Sequence, residues 1–267
     1  MQQKDSVLTR LGHLFEFKRK VTSSETVHGR GPITHVIIMD GTLSSLDEGF
    51  ETNAGLTFKL CRDMAKSGAD GPNMLLHYEA GIQWDGFEDT MDVVEGRGIN
   101  EQIKRVYGDL ASRYRSGDKI FLFGYSRGAY AVRSLAGFID RIGLLKGSEA
   151  TVRNIVTGYR HYQSDPSSDA AAAFSAKHCH KDIVIDMLGV WDTVAAVGMH
   201  FPVLWRFSKV YHEFHDKLPP RCALRAYHVL AYDERRKAYD PVMFETNPAS
   251  DQVLQQMWFP GSHGDVG

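Results

Sequence analysis

Lys119-Ile120-Phe121-Leu122-Phe123-Gly124-Tyr125-Ser126-Arg127-Gly128-Ala129-Tyr130-Ala131-Val132-Arg133 is the stretch that decides how this chain folds. Its apolar run, Ile120 to Phe123, reads as a strand, Gly124 to Gly128 stops it, and the Ala-rich sequence beyond favours a helix. Strand, G-x-S-x-G turn and helix in that order form the context of a nucleophile elbow, where a strained turn lifts a serine Oγ clear of a sheet. Gly124 and Gly128 would remove the Cβ atoms that collide where strand and helix pass close together. A bare G-x-S-x-G arises by chance in many chains. The flanking strand and helix are what make Ser126 a candidate nucleophile.

Working outward, apolar runs alternate with helical segments. Ile33 to Met39 reads as a strand that ends at Asp40-Gly41-Thr42, and a helix follows from about Asn53, as N-cap, to Lys66 with Gly68 beyond it. Asn73 to Tyr78 is a short strand, and residues 99–115 place Ile99, Ile103, Val106, Tyr107, Leu110 and Tyr114 on one helical face. Beyond the elbow helix, residues 151–180 read as helix with a Ser/Asp/Pro break at 164–168. Asp182 to Val190, 224–232 and Met257 to Phe259 are the remaining strands. This alternation predicts a mostly parallel sheet with helices on both faces. Residues 1–32 read as a peripheral helix, with Val7, Leu8, Leu11, Leu14 and Phe15 at helical spacing, and a polar linker. Residues 33–267 are then one catalytic domain.

A serine hydroxyl needs a histidine to take its proton, and that histidine needs a carboxylate to hold its tautomer. In an α/β-hydrolase the acid and then the histidine follow the serine in the chain. Asp192 stands directly after the apolar Leu188-Gly189-Val190-Trp191, and His263 lies just beyond Phe259. Asp186 falls inside a strand, and Asp265, two residues from His263, is the second-choice acid or a support for its loop. His228 sits inside a strand and reads as a core histidine. His178 and His180 flank Cys179 but lack further spaced ligands, so no metal site follows. The oxyanion needs converging N–H donors: one from Arg127, the residue after the nucleophile, another from the Gly41–Thr42 turn. Asp40-Gly41-Thr42 also resembles the end of a D-x-D-G-T phosphatase motif, but Ile38 occupies its nucleophile position. Phe201, Leu204, Trp205 and Phe207, in the apolar stretch 198–216, are expected to line an acyl pocket or a lid, or to pack as an ordinary core helix.

Composition sets bounds. The 267 residues are 43% hydrophobic and 24% charged, enough for one large α/β domain. A net charge of −2 offers nothing to nucleic acid, and neither a secretory signal nor an apolar run long enough to span a membrane is present. The three cysteines are scattered without C-x-x-C, which suits synthesis in the cytoplasm and implies no disulfide framework. Nucleotide-binding motifs are absent, so no cofactor is expected.

Several blocks, taken in order, resemble the catalytic domain of the type VI secretion phospholipase effectors of the first lipase class, formerly a domain of unknown function. They are Asp40-Gly41-Thr42, Tyr78 to Ile82, Gly96 to Asn100, Gly117-Asp118, Phe123 to Tyr130 with Arg133, Gly189 to Val194, Ala231 to Arg236 and Trp258 to Gly267. The resemblance covers roughly residues 33–267. It implies an α/β-hydrolase core, phospholipid ester hydrolysis and a triad of Ser126, Asp192 and His263. It also implies peripheral membrane contact, release through a type VI system without a signal peptide, and a secretion-apparatus or immunity protein as partner. The family's closing motif continues into a further C-terminal region, whereas this sequence stops at Gly267. Either the sequence is a fragment, truncated at its C-terminal end, or the His263 loop lacks the helix that normally pins it. A soluble short-chain carboxylesterase and a non-catalytic interaction module on the same fold are the alternatives. Arg133, Arg235 and Arg236 are expected to pair with Asp233 or Glu234 and brace the site.

Overall fold

The computed structural model describes residues 31–42, 44–67, 73–81, 97–194, 218–247 and 250–267. The predicted N-terminal helix, Ile82, Gly96 and the 198–216 stretch with Phe201, Leu204, Trp205 and Phe207 lie outside these residues. Strands β1 (Thr34–Met39), β2 (Met74–Glu79), β3 (Lys119–Tyr125), β4 (Met187–Trp191), β5 (Arg225–Ala231) and β6 (Val253–Phe259) form one sheet in the order β2-β1-β3-β4-β5-β6. Every pairing is parallel. Between and after them run α1 (Asn53–Lys66), α2 (Arg97–Arg113), α3 (Arg127–Ile142), α4 (Val152–Ser164), α5 (Asp169–His178) and the short α6 (His263–Val266). The fold is α/β and α/β-hydrolase-like.

Strands buried on both faces need apolar side chains at every position, not alternate ones. β1 meets this: Val36, Ile37, Ile38 and Met39 are all buried. Val36, Ile38, Leu76 and Tyr78 pack with Ala54 and Phe58 of α1 on one face. Ile37, Met39, Ile120, Leu122, Leu188 and Val190 pack with α2 and α3 on the other. Helices therefore cover both faces, as the alternation predicts. The helical face of α2 is also as predicted: Ile99, Ile103, Val106, Tyr107 and Leu110 are buried, and so is Tyr114 just past its end.

Three boundaries differ from expectation, each for a local reason. The helix α1 is capped by Thr52, whose Oγ1 accepts the Gly55 N–H at 2.9 Å, and Asn53 is its first residue. The strand expected from Asp182 begins only at Met187: Asp182 adopts a positive φ of 57°, and the Asp186 carboxylate accepts the Ile120 N–H at 2.9 Å. β6 starts earlier than its apolar residues suggest, at Val253, because it pairs with β5 along its whole length.

The chain runs from β1 to β2 on one side, then returns as β3 on the other side of β1. Such a reversal opens a crevice at the carboxyl ends of the two central strands, where ligands bind in open α/β sheets. Here the switch point places the turn after β1, Asp40-Gly41-Thr42, beside Ser126 after β3.

Candidate active site

Ser126 occupies the turn between β3 and α3 at φ 56° and ψ −120°, a conformation that side-chain-bearing residues rarely adopt. Several contacts hold it there. The Ser126 N–H donates to the Trp191 carbonyl at 3.0 Å. A Cβ on Gly124 would stand 2.6 Å from the Gly128 oxygen, and one on Gly128 would overlap the Met39 carbonyl. Gly124 thus lets α3 approach its own strand, while Gly128 lets it approach β1.

Asp192 follows β4 at φ 38°, and its N–H donates to the Val229 carbonyl at 2.8 Å. His263 opens α6 after β6. The three residues expected from the sequence come together: His263 Nε2 lies 2.8 Å from Ser126 Oγ, and His263 Nδ1 lies 2.6 Å from Asp192 Oδ2. Asp192 Oδ1 accepts the Ala231 N–H at 3.1 Å, so both carboxylate oxygens are satisfied. All three side chains are buried. Hydroxyl, imidazole and carboxylate in line are the geometry by which a histidine withdraws a serine proton.

Asp265 is not placed against the imidazole. Its Oδ2 accepts from the Ser262 N–H and Oγ, both at 2.7 Å, closing a capping box on α6. Asp186 sits at the entry of β4, at the opposite end of the sheet from Ser126. His228 is buried in β5, where its Nε2 accepts the Thr193 N–H at 3.2 Å and its Nδ1 faces Gln256 Oε1 at 3.2 Å. Burial, and then the nearby Arg133 cation, push its pKa down to about 4, so it is a neutral core histidine. His178 pairs with Glu149 at 2.7 Å, and His180 packs edge-on against Tyr114. Among the described residues no cluster of His, Cys, Asp and Glu is arranged to hold a metal.

The turn after β1 divides its two expected donors. The Gly41 N–H donates to Asp40 Oδ1 at 2.6 Å. Thr42 Oγ1 is buried with no partner among the described residues. Asp40 Oδ2 also accepts from Tyr78 and Thr52 at 2.6 and 2.7 Å. Burial raises the Asp40 pKa, and these donors partly counter the rise. Gly41 lies flat on Tyr125: a Cβ there would come 2.7 Å from that ring and 3.4 Å from Ser126 Cβ.

The His263 loop is not loose. Tyr125 Oη donates to the His263 carbonyl at 3.0 Å, and the His263 N–H donates to Glu234 Oε2 at 3.2 Å. The rings of Tyr125 and Tyr239 both pack against the imidazole, with centroids at 4.9 and 4.7 Å. Asn53 ties down the following residues through the carbonyls of Val266 and Gly267. Glu234 is itself held by Arg236 through two bonds of 2.8 and 2.6 Å, which keep its carboxyl well below the usual range. Of the expected braces, then, Arg236 with Glu234 forms. Arg133 instead bonds the Val242 carbonyl and lies 3.8 Å over the Phe244 ring.

Residues 34–267 match the family described as T6SS, phospholipase effector Tle1-like, catalytic domain. The chain belongs to that family. Among its relatives, the uncharacterized protein YEL023C of Saccharomyces cerevisiae is 26% identical over 241 residues, covering 80% of this chain and 33% of that protein. The structure of the Tle1 effector bound to the VgrG spike from the type 6 secretion system aligns at 20% identity and a TM-score of 0.45, over 89% of this chain and 51% of the other. An uncharacterized protein from Pseudomonas aeruginosa aligns at 14% identity and a TM-score of 0.42, over 89% and 42%. This Tle1-like domain therefore spans 33% of the curated relative and 42–51% of these solved chains.

Sequence reasoning missed two supports of this Tle1-like site. Tyr125 stands inside the G-x-S-x-G itself, yet nothing local shows that its hydroxyl reaches His263. Tyr239, in the short turn Lys237–Tyr239, carries no motif at all. Both act across long stretches of chain.

Proposed function

We propose that this chain is a serine hydrolase of carboxylic esters, and that its substrates are the acyl esters of phospholipids. The observation that carries the reading is the unbroken relay from Asp192 through His263 to Ser126, at 2.6 and 2.8 Å, ending on a strained elbow at the switch point of the sheet. In the proposed reaction Ser126 Oγ bonds to the ester carbonyl carbon while its proton passes to His263 Nε2. Asp192 holds the Nδ1–H and stabilises the imidazolium. The ester C–O bond then breaks, and the leaving alkoxide takes the proton from Nε2. Water repeats the sequence on the acyl-serine, yielding the free acid and restoring Ser126.

The oxyanion formed in each half has two candidate donors, the N–H of Arg127 at the start of α3 and Thr42. A buried hydroxyl without an acceptor is unusual enough to need a reason, and an oxyanion arriving between Thr42 and Ser126 would supply one. These steps draw on no metal or organic cofactor. The family description extends the proposal to a type VI secretion route, and the secretion apparatus and an immunity protein, which the sequence resemblance implies, are the partners proposed with it. No described helix is long and apolar enough to cross a membrane, so contact with a bilayer would be peripheral among the described residues.

The test is hydrolysis of a p-nitrophenyl ester series, acetate to palmitate, by the chain beside Ser126→Ala. Serine-dependent release that rises with chain length, followed by release of fatty acid from phosphatidylcholine, is the expected result. Activity confined to short esters would mean a soluble esterase instead. Absence of Ser126-dependent release at every length, together with no fluorophosphonate labelling, would overturn the reading.

A further inference from the structure

Asp40, directly after β1, is a buried carboxylate that the relay of Asp192, His263 and Ser126 does not use. It is 1% exposed, and among the described residues no cation pairs with it. Such a group is costly to bury unless donors surround it. Oδ1 accepts the Gly41 N–H at 2.6 Å, and Oδ2 accepts the hydroxyls of Tyr78 and Thr52 at 2.6 and 2.7 Å. The three donors come from the turn after β1, from β2 and from the N-cap of α1. The Asp40 N–H donates to the Glu79 carbonyl at 2.9 Å, and a Cβ on Gly128 would stand 2.5 Å from the Asp40 carbonyl oxygen. Asp40 is thus the point where β1, β2, α1 and α3 meet.

What this junction fixes is the turn itself. The Gly41 carbonyl accepts the Ser44 N–H at 3.2 Å, and a Cβ on Gly81, just past β2, would overlap that same carbonyl. On the other side, a Cβ on Gly41 would come 3.4 Å from Ser126 Cβ. The turn is therefore clamped between the end of β2 and the elbow. Its next residue, Thr42, carries the buried hydroxyl that has no partner among the described residues. A carboxylate accepts at both oxygens, so it holds Gly41 and the Tyr78–Thr52 pair at once. An amide would offer an acceptor to one side alone, and a methyl group to neither.

We propose that Asp40 is a positioning residue for ester hydrolysis: its carboxylate locks the Asp40-Gly41-Thr42 turn where Thr42 meets the oxyanion formed at Ser126. The proposal rests on the serine-hydrolase reading above and deepens it. An oxyanion exists only once Ser126 Oγ has added to the carbonyl carbon, so the effect of Asp40 belongs to kcat and not to substrate binding.

The experiment compares wild type, D40A, D40N, Y78F, T42V and the double variant D40N/T42V on p-nitrophenyl butyrate, with urea midpoints reporting the folded state. kcat should fall about 100-fold in D40A, about tenfold in D40N and about threefold in Y78F, while KM stays within about twofold of wild type. A long-chain trifluoromethyl ketone adds to a serine hydroxyl and leaves an oxyanion in the same place. Its affinity should weaken by the same factors as kcat. In the T42V background D40N should lower kcat far less than it does alone, because both changes remove one interaction. A merely structural Asp40 would give additive losses in the double variant, or a ketone affinity unmoved while kcat falls, and either result would overturn the assignment. Wild-type kcat in both D40N and Y78F would overturn it too, so the outcome does not depend on D40A folding. Ser126→Ala, run beside these, separates the two layers. Ser126-dependent turnover with additive losses sinks only the Asp40 role, whereas its absence sinks the serine-hydrolase reading and this inference with it.

Discussion

Ser126 pays for its position with backbone strain. At φ 56° and ψ −120° an L-residue sits in a region costing about 1–3 kcal/mol, which glycine enters freely. Ser126→Gly and Ser126→Ala should both abolish turnover, since neither has a hydroxyl. The glycine variant should nevertheless be the more stable, by about 1 kcal/mol after allowing for the entropy glycine gains in the unfolded chain. Urea unfolding of the two variants measures this, and equal midpoints would mean an unstrained elbow. The two carboxylates near His263 separate at the same scale. D192N leaves the shape but favours the wrong imidazole tautomer, and kcat should fall about 10⁴-fold. D265A only opens the capping box of α6, costing about 1 kcal/mol of stability and at most about tenfold in kcat. Comparable losses in both variants would show that Asp265 does more than hold the loop. Ser126, Asp192 and His263 were legible in the sequence because each is tied to a turn or strand end that the chain announces locally. The commitment of the Gly41 N–H to Asp40 was not, since it depends on a side-chain rotamer that no pattern encodes.

At the scale of elements, the elbow works because two backbones nearly touch. A Cβ on Gly128 would overlap the Met39 carbonyl, so α3 would have to lift off β1 to accept it. Gly128→Ala should therefore destabilise the fold by about 3 kcal/mol and shift Ser126 away from His263. Gly264 has open space where a Cβ would go, and Gly264→Ala should change stability by less than about 0.5 kcal/mol. Thermal unfolding of the pair checks the contrast, and a mild G128A variant would mean that the helix tolerates displacement. Elements with one strong period were readable: α2 shows its apolar face at every turn, and β1 and β3 are nearly continuous apolar runs. Elements fixed by partners were not. β6 carries Gln255 and Gln256 mid-strand, and Gln256 is accommodated by bonding both the N–H and the carbonyl of Phe244 while facing His228. The extension of β6 to Val253 follows from register with β5, which a single strand does not reveal. The same holds for β4, trimmed by the turn at Asp182.

Across the whole molecule, two buried histidines outside the Ser126 relay pull stability in opposite directions with pH. His77 on β2 lies 3.2 Å from both Glu79 and Asp109, which are themselves paired with Arg105 and Arg113. Burial alone would lower its pKa, but the hydrogen bonds and charges of Asp109 and Glu79 outweigh burial and raise it to about 9. A histidine that binds its proton more tightly when folded contributes fully below its unfolded value of 6.5, and that contribution is lost as pH climbs towards 9. His228 is the reverse case. The unfolded chain takes up its proton near 6.5 and the folded chain only near 4, so stability is lost as pH falls through that interval. Stability should therefore peak near neutral pH and decline on both sides, with the alkaline limb worth roughly 3 kcal/mol at most. Urea midpoints from pH 4.5 to 9 provide the test: H77Q should flatten the alkaline limb, and H228Q should blunt the acid one. A wild-type midpoint that stays constant from pH 6.5 to 9 would mean that His77 is uncharged in the fold. The acid limb also reaches the candidate site. Neutral His228 accepts the N–H of Thr193, the residue after Asp192, and a protonated ring has no lone pair left to do so. Protonating His228 thus loosens the strand end that aims the Asp192 carboxylate at His263.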